Sequence, residues 1–178
     1  GEEAFAVGPL SWPDGVAWSA DGQLLATAEA GDHDGRVTIR DTSGREVTVL
    51  EEEPGARIGS VAFSADGEWL ITTRFGRERS VTPQVVIWDW RNGEIEWPIN
   101  TDAAAAVPST PALIATLRAE RTADGQAVDV WDQDTGRRVS TLMGHSGDVH
   151  DLGLSADGSR LATASPDGTA RVWDPRTG

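Results

Sequence analysis

The chain has 178 residues, with 29 acidic against 15 basic side chains and a net charge of −14. It has no cysteine, which excludes disulfides and thiolate chemistry. It also has no run of 18 apolar residues, so no membrane-spanning helix is expected. All its cations are arginines, and the acidic excess repels phosphate backbones, which argues against nucleic acid as a partner. No basic segment followed by an apolar one opens the sequence, and the expected location is cytoplasmic.

In chain order, a first strand is expected at residues 2–7. Val16-Ala17-Trp18 then runs into the turn Ser19-Ala20-Asp21-Gly22, and Leu24-Leu25-Ala26-Thr27 follows it. Apolar strand, Asp-Gly, apolar strand is a strong hairpin signal, because glycine accepts positive φ without a steric cost. Asp32-His33-Asp34 falls in the next turn, where three adjacent polar residues read as solvated rather than as metal ligands. Ile39-Arg40-Asp41 ends a third strand, and Glu51-Glu52-Glu53 reads as a solvated connector.

The same sentence returns. Val61-Ala62-Phe63, Ser64-Ala65-Asp66-Gly67 and Trp69-Leu70-Ile71-Thr72 lead to Ile87-Trp88-Asp89, with a longer loop at 75–83 in place of the second tight turn. The third copy is degenerate: Ser109-Thr110-Pro111 stands where Ser-Ala-Asp-Gly is expected, and Asp124 sits one residue off register before Val130-Trp131-Asp132. The fourth is the most regular. It runs Gly144-His145, Leu152-Gly153-Leu154, Ser155-Ala156-Asp157-Gly158, Leu161-Ala162-Thr163, Pro166-Asp167-Gly168 and Val172-Trp173-Asp174. Arg138-Val139-Ser140-Thr141-Leu142 is an example of the fourth strand of a copy. The aspartates at 41, 89, 132 and 174 lie 48, 43 and 42 residues apart, a period that signals a stacked-repeat architecture. Each copy reads as a four-stranded antiparallel unit, and no stretch reads as a long helix.

Together these motifs resemble the WD-repeat β-propeller family, over essentially the whole chain. The resemblance implies an all-β fold of four-stranded blades, four per chain, with repeats near 8–50, 51–99, 100–142 and 143–178. It also implies a buried hydrogen-bonded network. Carried over residue by residue, its members in the fourth repeat are His145, Thr163, Asp167 and Trp173, with Ser165 a weaker substitute for Thr163. The histidine position is Pro9 in the first repeat and Pro54 in the second, and the tryptophan position is Arg40 in the first. Only the fourth repeat is expected to hold the complete set. On paper His145, Thr163 and Asp167 mimic a catalytic triad, but a nucleophile must reach substrate, and this group is expected inside a blade. The tryptophans are expected to pack within and between blades rather than to stack on bases.

Gly178 stands in the same phase as Gly136, and residue 1 stands in the phase of Arg137. The strand at 2–7 is therefore expected to complete the fourth blade, in cis or in trans, so that no sheet edge stays open. Four blades rarely close a ring in this family, and two copies would give eight, so a two-fold dimer is expected. A closed four-bladed monomer and a fragment of a longer propeller are the alternatives. The resemblance implies a non-catalytic scaffold that binds proteins and needs no cofactor or metal. The expected contact face offers Trp12, Asp14, Arg57, Arg74, Arg77, Asp148 and His150. The competing reading is an enzyme or small-ligand propeller with a site in the central channel. The charge argument predicts no detectable binding to duplex DNA at physiological salt. Fluorescence anisotropy with a labelled duplex checks it, and tight, salt-sensitive binding would contradict it.

Overall fold

The three Ser-Ala-Asp-Gly turns are built alike in the computed structural model, which describes residues 13–29, 35–76, 84–100, 106–109, 113–122 and 125–178. In each turn the serine hydroxyl donates to the aspartate at 2.6 Å (Ser19–Asp21, Ser64–Asp66, Ser155–Asp157). The same hydroxyl accepts the backbone N–H of Leu24 (2.9 Å), Trp69 (2.9 Å) or Arg160 (3.0 Å), which starts the returning strand. The glycine that follows takes φ of 68°, 73° and 64° at positions 22, 67 and 158, a region closed to most side chains. The turn thus fixes hairpin register through its own side chains.

The described residues form fifteen strands. They are β1 (Pro13–Trp18), β2 (Leu24–Glu29), β3 (Arg36–Asp41), β4 (Glu46–Glu51), β5 (Ala56–Phe63), β6 (Leu70–Gly76), β7 (Gln84–Asp89) and β8 (Glu94–Asn100). The remainder are β9 (Ala106–Ser109), β10 (Leu113–Thr122), β11 (Gly125–Asp132), β12 (Arg138–Leu142), β13 (Asp151–Leu154), β14 (Leu161–Ala164) and β15 (Ala170–Trp173). They form four antiparallel sheets in simple sequential order: β1–β4, β5–β8, β9–β12 and β13–β15. The first strands β1, β5, β9 and β13 touch in succession and make the inner wall, so β4, β8 and β12 lie outermost. No strand among the described residues joins the fourth sheet beyond β15. The strand expected at 2–7 lies outside the described residues.

The sheets pack face to face. Ala26, Ala28, Val37 and Ile39 of the first sheet meet Ile58, Val61, Phe63 and Trp88 of the second. Ile71, Val85, Ile87 and Ile99 of the second meet Ile114 of the third, and Leu113, Val128 and Val130 of the third meet Val149, Leu152 and Leu161 of the fourth. Among the described residues no apolar core joins the fourth sheet back to the first.

Two expectations change. Trp18 does not pack between blades. It lies exposed on the side of the first sheet that faces away from the second, and no sheet among the described residues covers it. The Glu51–Glu53 connector is not uniformly solvated, because Glu52 is buried by the chain crossing from the first sheet to the second. Its N–H donates to Gly35 O (3.0 Å), and Gly35 N–H donates to Ala56 O (2.8 Å). A Cβ on Gly35 would stand 2.9 Å from Ile58 Cγ1 and 3.1 Å from Ile58 N, so only glycine fits this close approach.

Because inter-sheet packing carries the fold, Leu70→Ala, at a fully buried site, is expected to cost about 2–5 kcal/mol. Val47→Ala, on the exposed outer strand β4, is expected to stay within about 0.5 kcal/mol. Urea unfolding of the two variants checks the contrast.

Candidate functional site

His145 lies in the connector before β13, Thr163 on β14, Asp167 in the β14–β15 turn and Trp173 on β15, and the fold brings all four together. His145 Nδ1 is 2.8 Å from Asp167 Oδ2, and His145 Nε2 is 2.7 Å from Thr163 Oγ1. Trp173 Nε1 donates to the same hydroxyl at 2.9 Å. An ionised carboxylate only accepts, so Nδ1 carries the proton. Thr163 Oγ1 thus stands between His145 Nε2 and the tryptophan N–H, which it accepts. Asp167 also accepts the N–H of Ser146 (3.1 Å) and of Thr169 (2.8 Å), and the Thr169 hydroxyl at 2.7 Å. These donors, the Thr169 hydroxyl foremost and then His145, hold its carboxyl far below the usual carboxylate range. Ser165 instead accepts the Asp167 N–H at 3.1 Å. His145 and Thr163 have almost no surface, so the hydroxyl has no route to a substrate.

Half of this arrangement recurs in every sheet. Trp88 Nε1 donates to Thr72 Oγ1 at 2.9 Å, and Trp131 Nε1 to Thr116 Oγ1 at 2.8 Å. In the first sheet Arg40 Nη1 donates to Thr27 Oγ1 at 3.1 Å. Arginine thus replaces the tryptophan donor, and Glu46 at 3.7 Å balances its charge. A second tie was not legible in the repeats. Glu52, in the connector to the second sheet, accepts from Arg74 Nη1 at 3.1 Å on β6. It pins connector to second strand where the fourth sheet uses His145 and Thr163. Burial pushes the Glu52 carboxyl up, opposed by the Arg74 charge. The clue available in the sequence was a glutamate run placed just before a repeat that has proline at its histidine position.

The expected contact residues that the structure describes, Asp14, Arg57, Arg74, Asp148 and His150, lie at one end of the sheets, where first strands begin and second strands finish. Arg57 pairs across from Phe75, and Ile58 across from Arg74. Asp14 and His150 are exposed there, and Asp148 is half-buried in the loop before β13. Arg57 is half-buried, with its guanidinium over the Phe75 ring at 5.9 Å. Arg74 is turned inward between Glu52 and Glu53 (3.0 Å), which leaves 11% of its side chain open. It is a connector clamp before it is a contact residue. Trp12, Arg77, Asp124 and the segment Asp32-His33-Asp34 lie outside the described residues. Among the described residues no group of three or more His, Cys, Asp or Glu side chains is arranged to hold a metal ion, and no helix is long and apolar enough to cross a membrane.

At the opposite end, a cleft of about 230 Å³ opens between the first two Ser-Ala-Asp-Gly turns, lined by Asp21, Asp66, Trp90 and Arg91. Its carboxylates are already used: Asp21 accepts Gln23 N–H (3.0 Å) and Asp66 accepts Glu68 N–H (3.0 Å), besides the serines. The cleft is filled with turn chemistry.

The family model described as WD domain, G-beta repeat, matches residues 44–89 and 136–174. The chain belongs to the WD-repeat β-propeller family. A guanine nucleotide-binding protein subunit beta of Oryza sativa subsp. indica is 30% identical over 128 residues, covering 68% of this chain and 32% of that protein. The C-terminal WD40 domain of Sif2 superposes with a TM-score of 0.71 at 21% identity, over 90% of this chain and 42% of that one. The computationally designed Ika4 protein superposes with the same TM-score of 0.71 at 19% identity, over 98% of both chains. The chain spans well under half the length of the curated relatives it matches.

Thr163 is the hub of the fourth-sheet network. Thr163→Ala removes the partner of His145 Nε2 and Trp173 Nε1 together and is expected to cost about 2–4 kcal/mol, while Thr163→Ser is expected to stay near 1 kcal/mol or less. Calorimetry checks the pair. A carboxyl whose pKa is depressed in the folded state stabilises above its ordinary value of 3.8 and loses that contribution as pH falls below it. Melting temperature should therefore decline below pH 4, less steeply in Asp167→Asn.

Proposed function

We propose that this chain is a non-catalytic scaffold for binding another protein, and that two copies close about a two-fold axis into an eight-bladed ring. WD-repeat proteins are generally protein-interaction scaffolds. The observation that carries the first part is the distribution of polar chemistry. The triad-like group is buried and saturated with hydrogen bonds, whereas the open polar groups Asp14 and His150 stand at one end of a stack of rigid sheets, with half-buried Arg57 beside them. Loops on a rigid scaffold are where binding residues concentrate, and arginine, held here over an aromatic ring, is enriched among interface anchors. The partner in this reading is a protein, with no nucleic acid, membrane or cofactor involved, and the setting is the cytoplasm.

The closing of the ring is supported by the arc itself. Four sheets pack in sequence, and among the described residues the last shows three strands and shares no core with the first. In the ring we propose, the segment 2–7 supplies the outer strand beside β15, whose outer edge has no partner among the described residues and is otherwise a template for aggregation. Affinity capture with an Asp14→Arg, Arg57→Glu, His150→Glu variant tests the binding face. Partners held by the parent chain should be lost from this variant and retained by variants on the outer strands. Equal retention by both would contradict the assignment.

A further inference from the structure

Glu52 is a buried carboxylate with half of its chemistry unused. Its side chain has no exposed surface, and Arg74 Nη1 donates to its Oε2 at 3.1 Å. Among the described residues Oε1 has no hydrogen-bond partner, and neither does Nε of Arg74. Asp129, nearly as buried, shows what saturation looks like: Arg118 donates to both its oxygens, and Thr141 to Oδ1. An ionised carboxylate offers about four acceptor sites, and one left under-served away from water is costly to keep charged. Glu52 cannot turn outward instead. Its N–H donates to Gly35 O (3.0 Å) and Gly35 N–H to Ala56 O (2.8 Å), which fixes the connector at and beyond the side chain. The acid therefore titrates where it stands. Among the described residues the charges that face it are Arg74 from β6 and Glu53 from the connector, whose Oε1 is 3.0 Å from the same Nη1. Arg36 of β3 is paired with Glu51 at 3.0 Å. Arg57 of β5 lies on the opposite face of its sheet, next to Ile58, which packs toward the first sheet.

We propose that Glu52, Arg74 and Glu53 form a proton-operated latch on the connector between the first two sheets. With Glu52 ionised, Arg74 is drawn inward, and only 11% of its side chain stays open. When Glu52 takes up a proton, the carboxylic acid no longer holds the guanidinium by charge. Arg74 then follows Glu53, which is 56% exposed, and swings toward solvent. Gln84, half-buried at the start of β7, accepts from Nη2 in either position. Two features bring the step within reach. Burial outweighs the Arg74 charge and pushes the Glu52 carboxyl above its ordinary value of 4.5. Nη1 already stands between two acids at 3.1 and 3.0 Å, so Arg74 needs no new partner. The charge of the group changes as well. Two carboxylates and one guanidinium carry one net negative charge, and with Glu52 neutral they carry none. Arg74 lies at the end of the sheets that bears Asp14, Arg57 and His150, so acidification adds a guanidinium to the contact face. That consequence rests on the scaffold reading above, whereas the latch rests on the connector alone.

Thermal melting of the full chain and of its Glu52→Gln variant, followed from about pH 7.5 down to 4.5, tests the latch. A carboxyl whose pKa is raised in the folded state adds stability below its ordinary 4.5 and loses it as pH rises through the raised value. Glutamine stands in for the protonated acid. Glu52→Gln should therefore melt above the parent at neutral pH, and the gap should close as the parent takes up its proton. A gap that does not change with pH, or a parent that melts higher at neutral pH, overturns the latch. The movement of Arg74 is read by phenylglyoxal labelling and peptide mass spectrometry, as a ratio to Arg137, exposed in the β11–β12 turn. At neutral pH this ratio should rise several-fold in Glu52→Gln. In the parent it should rise over the same pH range, an arm that holds even if the glutamine variant does not fold. A parent ratio that stays unchanged across the range overturns the latch, whatever the variant does. Neither measurement uses a partner, so failure of the latch leaves the scaffold reading standing.

Discussion

Each sheet of this protein is apolar on both faces, and covering those faces is the constraint on which everything else depends. A strand buried on one side alternates in polarity; β6 and β7 do not, because the first sheet presses on one face and the third on the other. Their buried runs, Leu70 with Val86 on the face toward the first sheet and Ile71 with Val85 and Ile87 on the face toward the third, mark an architecture in which a sheet is stable as one of a series. The fourth sheet has a described neighbour on one side only. Its strands keep one buried row, Leu152, Leu161 and Thr163, and leave Ala162, Ala164 and Val172 in water.

Apolar faces alone would let sheets slide, and the polar ties fix their register. In all four sheets a threonine hydroxyl on the second strand accepts a hydrogen bond from a long side chain on the third. Connectors are pinned separately, by His145 in the fourth sheet and by Glu52 with Arg74 in the second. The connector before β13 is also tied to the third sheet: Gln126 Oε1 accepts Val149 N–H at 2.8 Å, and Gly125 leaves no room for a Cβ beneath His145 O, at 1.6 Å. A buried ion pair carries a desolvation cost, so the Glu52–Arg74 tie marks fixed geometry rather than added stability. The third sheet adds its own cluster, in which Arg118 forks onto Asp129, Nε donating to Oδ2 at 3.1 Å and Nη2 to Oδ1 at 2.9 Å, and Thr141 donates to Oδ1 at 2.5 Å.

The repeat, the hairpin turns and the all-β class were legible because they rest on local chemistry: Ser-Ala-Asp-Gly closes its own turn, and the Trp-Asp phrase keeps its spacing. The four members of the fourth-sheet network come together within hydrogen-bonding distance for the same reason, since each occupies a fixed place in a repeat. What was not legible depends on chain segments distant in sequence. Arg40 read as a lost tryptophan, although a long donor of another kind reaches the same threonine. Glu52 read as one of three solvated acids, because its burial arises only when the chain crosses between sheets. Trp18 read as core, because its counterpart Phe63 is core and only position at the end of the arc distinguishes them. Arg74 read as a surface cation because the glutamates that hold it lie more than twenty residues earlier.

Small-angle X-ray scattering of the full chain over a range of concentrations tests the central claim, that the end faces are covered by a second copy, most directly, since it reports mass and shape together. The account predicts a forward scattering equal to two chains, constant with concentration, and a distance distribution of a closed disc. A single-chain mass with the profile of an open arc, or a mass that grows without limit as concentration rises, would contradict it.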